Sequence, residues 1–125
     1  MNEKTTSNNI NHSTIIHFLL YHKSSKIIRD TYKLNTHHVT VLLACYSYSK
    51  FVKPIFTITN IRMFANYYSH HRLLNYINRL IDVGFINLSG RHYFITDTGK
   101  EIINQISINN DNILYSFCQK YNIEL

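Results

Sequence analysis

Apolar residues recur at helical spacing through most of this 125-residue chain, and in two places the period changes. Over 14–33, Ile15, Ile16, Phe18, Leu19, Leu20, Ile27 and Ile28 predict a helix capped by Ser13 or Thr14. Its apolar stripe is wider than one packing partner requires. A sister subunit would account for the excess; a helix wedged between two elements of its own domain is the other reading. Asn35 or Thr36 starts a second helix, with Val39, Leu42, Leu43 and Tyr46 at i, i+3, i+4 and i+7, running out near Ser49. The first change comes at 50–57. Pro54 forces the preceding residue out of helical space, and β-branched and aromatic neighbours predict a short extended segment at a sheet edge. Thr59 is expected to cap a third helix over 60–66 that buries Ile61, Phe64 and Ala65. A polar turn, Asn66-Tyr67-Tyr68, leads to Ser69, the cap of a fourth helix over 69–83 that stops at Gly84.

After Gly84 the period becomes strand-like. Two apolar segments, 85–88 and 92–95, flank Ser89-Gly90-Arg91, a hairpin with glycine where the tight turn needs it. Thr96 or Asp97 then caps a helix with Ile102, Ile103 and Ile106 on its core face. Asn109-Asn110-Asp111-Asn112 is expected to break it before a short last helix carrying Ile113, Leu114, Phe117 and Tyr121. Residues 1–12 are polar and without period, so a loose tail is expected. The pattern therefore predicts a mainly α fold with a small β-hairpin, in one domain over 13–125. Residues 36–106 would form its core, flanked by helices at 14–33 and 112–122.

The fourth helix carries the most information. Leu73, Ile77, Leu80 and Ile81 share one face, while His71, Arg72, Asn75, Asn78 and Arg79 fall opposite. That outward set holds no aliphatic residue and no acid before Asp82. Arginine and asparagine pair bidentately with guanine and adenine edges in a major groove. A DNA-reading helix is one account of such a face; a merely solvated face is the other. Charge bears on the choice. The chain has 13 Lys and Arg against 7 Asp and Glu, a net +6, and a pI near 9.4, which suits an anionic partner. Residues 50–100 carry seven bases against two acids, Asp82 and Asp97. Membrane surfaces are anionic too, but no basic cluster here adjoins an apolar helix of the interfacial type. Double-stranded DNA is the expected partner.

Two helices joined by a short turn and followed by a hairpin describe a winged helix-turn-helix. Leu80 and Gly84 followed by Phe85-Ile86, then Tyr93-Phe94-Ile95-Thr96 with Gly99 three positions on, resemble the MarR family of bacterial regulators across residues 36–106. Ser69 falls where such proteins cap the recognition helix. The resemblance implies a sequence-specific transcriptional regulator, a homodimer joined through the flanking helices 14–33 and 113–121, and major-groove reading by helix 69–83. On that reading Arg72, Asn75 and Arg79 meet base edges, with His70, His71 and Asn78 as further candidates. Ser69, Arg62, Lys50, Lys53, Lys100 and the wing's Arg91 fall to phosphate. The chain departs from the family at the wing, which lacks the longer loop with an Asp-x-Arg element and so reaches less far toward a minor groove. A small-molecule effector is compatible with the family, though no residue marks its pocket.

Other chemistries find less footing. The adjacent pairs His37-His38 and His70-His71 point about 100° apart on a helix, and no HExxH or CxxC spacing exists. No metal or cofactor is implied. Three glycines make no phosphate loop, the acids are scattered, and Cys45 and Cys118 lie in apolar helical patterns that suit core positions. No enzyme is expected. With no disulfide framework, signal peptide or transmembrane span in the pattern, the expected setting is the cytoplasm. The rival reading is a winged helix used as a protein–protein adaptor, which the ten tyrosines, Tyr67, Tyr68 and Tyr76 among them, would suit.

Overall fold

The computed structural model describes residues 12–66 and 68–124, with side chains from His22 onward. The expected loose tail lies outside the described residues apart from His12, which already belongs to the first helix; so do the side chains of the stripe from Ile15 to Leu20. The elements are α1 (His12–Tyr32), α2 (Thr36–Phe51), α3 (Ile58–Phe64), α4 (His70–Asp82), β1 (Ile86–Ser89), β2 (His92–Ile95) and α5 (Asp97–Tyr121).

Helix α2 is the hub. The sequence suggests one apolar face, yet Val39, Val41, Leu42, Cys45 and Tyr48 are all buried while Leu43 and Tyr46 are only half-buried. The reason is its surroundings. It touches α1, α3, α4, β2 and α5, and a helix covered on several sides needs no single stripe. Its start is fixed locally: the Asn35 side chain accepts from the His38 amide at 3.1 Å, and His38 Nδ1 accepts from the Asn35 amide at 3.0 Å. This reciprocal cap satisfies two donors that a helix start leaves open.

Helix α3 begins two residues earlier than expected. Thr57, not Thr59, is its cap, with Thr57 Oγ1 accepting from the Asn60 amide and Asn60 Oδ1 accepting from the Thr57 amide. Three residues beyond Thr59 stands Arg62, which has no acceptor to return, so the box closes only around Thr57. The extended segment before it shrinks to one antiparallel bridge, Phe56 with Tyr93, closed by hydrogen bonds of 3.0 and 2.8 Å. Helix α2 uses Phe51, and Pro54 has no amide to offer a ladder.

Ser69 caps α4 as expected, accepting from the Arg72 amide at 3.3 Å. Leu73, Ile77 and Leu80 are buried on its inner face, with Ile81 half-buried beside them. Gly84, at φ +86°, turns the chain out of the helix. The hairpin pairs Ile86 with Ile95 through Ser89 with His92, so its loop is only Gly90-Arg91, with Gly90 at φ +64°. Thr96 joins the hairpin to α5. Its hydroxyl donates to the Gly84 carbonyl at 2.6 Å and accepts from the Gly99 amide at 3.0 Å. At Gly99 a Cβ would collide with the Phe85 carbonyl, which explains the threonine and glycine three residues apart.

The expected break at 109–112 does not occur. Helix α5 runs unbroken for 25 residues, because its middle is held from outside. The Asn109 side chain donates through Nδ2 to the Ser24 carbonyl of α1 at 3.3 Å and accepts from Gln105 Nε2 through Oδ1 at 3.1 Å. Buried Ser24 and Ser25 on α1 are small enough for the two helices to lie close along their length. Asn122, in left-handed conformation, then ends α5. The result is a mainly helical chain in which α3 and α4 form a helix-turn-helix, the hairpin follows as a wing, and α1 and α5 pair with each other and each touch α2.

Candidate nucleic-acid interface

Residues 31–81 contain no aspartate or glutamate, and they supply all of α2, α3 and α4 except the terminal Asp82. The cap Ser69 and, along the N-terminal two-thirds of α4, His70, His71, Arg72, Asn75 and Asn78 are exposed together. His70 and Asn78 make no side-chain hydrogen bond to a described residue, while Asn75 Nδ2 and His71 Nε2 lie 3.4 Å apart across one helical turn.

Arg72 is different in being held. Its Nη2 donates to the Tyr76 hydroxyl at 3.0 Å. Its guanidinium carbon lies 5.3 Å from the centre of the Tyr68 ring, within the range of a cation–π contact. Both rings lean on the start of α2. His37 Nδ1 sits 2.9 Å from the Tyr68 hydroxyl, and the His37 ring stacks with Tyr76 at 5.6 Å and 17°. The sequence marks Tyr76, one turn after Arg72, at a spacing where side chains meet. Nothing local marks His37, which comes from 31 residues upstream of Tyr68.

Arg79 departs from its expected place. It is half-buried, and its Nη2 donates at 2.9 Å to the Tyr32 carbonyl at the end of α1. Helix C-termini leave carbonyls without partners, and a cation there is favourable. Arg79 therefore caps α1 instead of standing on the outward face with Arg72. Its charge is also felt by His38, whose imidazole is held below its usual value by burial first, then by Arg79 and by His37.

The other expected phosphate contacts lie on separate parts of the fold. Arg62 is exposed in the last turn of α3 and Arg91 at the tip of the wing. Lys50 and Lys100 line a concavity of about 520 Å³ at the root of the wing, walled by Pro54, Ile55 and Phe94; Lys53 lies exposed nearby in the chain. Burial pushes the Cys45 thiol far up, so at neutral pH it is protonated and inert. Among the described residues, no three His, Cys, Asp or Glu side chains come together as a metal site, and no helix is long and apolar enough to cross a membrane.

A family model described as winged helix-turn-helix matches residues 52–120, more than half of the chain. No curated protein sequence matches. Among solved structures the chain is similar to the transcriptional regulator Tm0710 from Thermotoga maritima. The TM-score is 0.63 and the identity 18%, over 86% of this chain and 75% of that one. At such identity the likeness speaks for the fold.

Proposed function

Because this chain belongs to the winged helix-turn-helix family, we propose that it is a transcriptional regulator that binds double-stranded DNA with α4 in a major groove. The observation that carries this is the exposed row His70, His71, Arg72, Asn75 and Asn78 on a helix whose surroundings, residues 31–81, hold no acid. Arg72 and Asn75 are the base-reading pair, and His70, His71 and Asn78 flank them. Ser69 at the helix start, Arg62 and Arg91 meet phosphate; Lys50, Lys53 and Lys100 extend the positive field. Arg79 leaves the base-reading set, since its guanidinium is engaged at α1.

The finer reading is a MarR-like homodimer joined through α1 and α5. Ile27 on α1 and Ile108, Tyr115 and Tyr121 on α5 are exposed apolar side chains on the flanking helices, as an unfilled subunit contact requires. A two-fold dimer reads two half-sites about 10 base pairs apart and prefers a palindrome. Selection of bound sequences from random duplex DNA, with a mass measurement of the free protein, tests this. An enriched palindrome, affinity falling steeply with salt and a dimer mass are expected.

One observation favours a second reading, a winged helix used as a protein adaptor. Phe51 and Met63 are 79% and 80% exposed, beside Lys50, Lys53 and Arg62 in the chain, and such apolar exposure marks contact surfaces. Little affinity for duplex, with little dependence on salt, would select it.

A further inference from the structure

We propose that Tyr76 and Tyr68 are specificity-determining positioning residues: with His37 as their anchor, they fix the Arg72 guanidinium in one orientation before nucleic acid arrives. This rests on the DNA-binding reading above and adds to it a mechanism for selectivity. A surface arginine loses rotamer freedom when it docks, and bidentate pairing with a base edge demands that its planar fork arrive correctly aligned. Both demands are met here within the free protein. One of the five guanidinium donors is given to the Tyr76 hydroxyl. The Arg72 guanidinium carbon lies 5.3 Å from the Tyr68 ring centre and 5.8 Å from that of Tyr76. A hydrogen bond to one tyrosine and ring contacts to both together restrict the position of the fork.

The two tyrosines are themselves fixed. Their rings meet edge-on at 5.1 Å and 69°. Tyr68 reaches His37 through its hydroxyl, and His37 stacks on Tyr76, so three rings and two hydrogen bonds connect the fork to the first turn of α2. Among the described residues nothing else binds the guanidinium, which leaves its other N–H groups for a ligand. A phosphate contact carries no sequence information directly, however the fork is held. Reading one base edge gains from the hold on the fork.

The test uses the full chain, the duplex selected by the wild type from a random pool, and an unselected duplex of equal length. Tyr76→Phe removes only the hydroxyl that receives Arg72. Its affinity for the selected duplex is expected to fall about threefold to tenfold, the order for freeing one long side chain. Affinity for unselected duplex, the salt slope and the melting midpoint should stay as in wild type. Repeating the selection should broaden preference at the base position that Arg72→Ala also relaxes. Tyr68→Leu, which removes the ring contact, should relax the same position and serves if Tyr76→Phe melts early. If Arg72→Ala relaxes that position and neither tyrosine variant does, the positioning role is overturned and the DNA reading stands. Equal losses on both duplexes overturn it in favour of a phosphate contact. A pool that enriches nothing, or an Arg72→Ala variant that selects the same sequence, overturns it together with base reading by α4.

Discussion

Arg72 and Arg79 stand seven residues apart on one helix, within about 20° of the same direction, and are held by different partners. Arg72 is exposed, and its partners are two tyrosines that leave most of its fork free. Arg79 is half-buried, and its Nη2 is given to the Tyr32 carbonyl at the end of α1. Neither the residue type nor the helical phase separates them. What separates them is which part of the chain passes by: the first turn of α2, with His37, beside Arg72, and the last turn of α1 beside Arg79. Helical periodicity assigns a direction; the tertiary neighbour decides whether a charge in that direction is offered to a ligand or used to close a helix end. The contrast can be broken at three depths.

The deepest break lies between the two arginines. Ile77 is fully buried under α4, and Ile77→Ala should cost about 2–5 kcal/mol of stability through lost burial and a cavity. Urea unfolding measures it. Both arginines should fail together, with DNA binding falling only as far as the folded fraction falls; a stable variant that no longer binds would mean that Ile77 sets the pose of α4 and not merely its anchorage. Next, Arg72→Ala should weaken binding to the selected duplex by about 1–3 kcal/mol while leaving the unfolding midpoint near wild type. Arg79→Ala should do the reverse. Loss of a charged donor to a half-buried carbonyl costs about 1–2 kcal/mol of stability, and the ratio of selected to unselected duplex binding should not move. If instead Arg79→Ala relaxed base preference, the guanidinium would have to leave Tyr32 on binding DNA, and the division between the two arginines would hold only in the free protein.

The same contrast shows where the sequence speaks. Local signals were legible: Ser69 as a cap, Gly84 as a stop, Gly90 in the hairpin loop, and threonine with glycine three residues later at the wing's exit. Each is decided within a few residues, so the chain carries its own partner. Thr59 was the expected cap of α3, and the cap is Thr57, because the side chain three positions on is Asn60 for Thr57 and Arg62 for Thr59. What the sequence hid was decided at long range. Helix α5 continues through four consecutive polar residues because Asn109 is tied to Ser24, 85 positions away. Arg79 is turned by Tyr32, 47 positions away. The exposed row on α4 was readable because exposure needs no partner; the hold on Arg72 was not, because it needs His37.

The finest probe of the contrast is His38, which feels the charge of Arg79 while its ring packs edge-on against Tyr76 at 5.2 Å. Its imidazole is held below the usual value near 6.5, by burial first, then by the charge of Arg79, then by His37. Neutral His38 also accepts from the Asn35 amide through Nδ1, a bond that protonation at that nitrogen would remove. A base whose pKa falls on folding leaves the unfolded chain holding more protons, so stability rises with pH there. The contribution is complete above the unfolded value and is lost as pH falls through the folded one. Arg79→Ala removes the second of the three causes, so the His38 ring signals in an NMR titration should move to higher pH. They should stay below the unfolded value because burial persists. Arg72→Ala should leave them where they are. A shift as large in Arg72→Ala as in Arg79→Ala would mean that the two ends of α4 share one electrostatic environment, and that the first turn of α2 joins the two arginines instead of separating them.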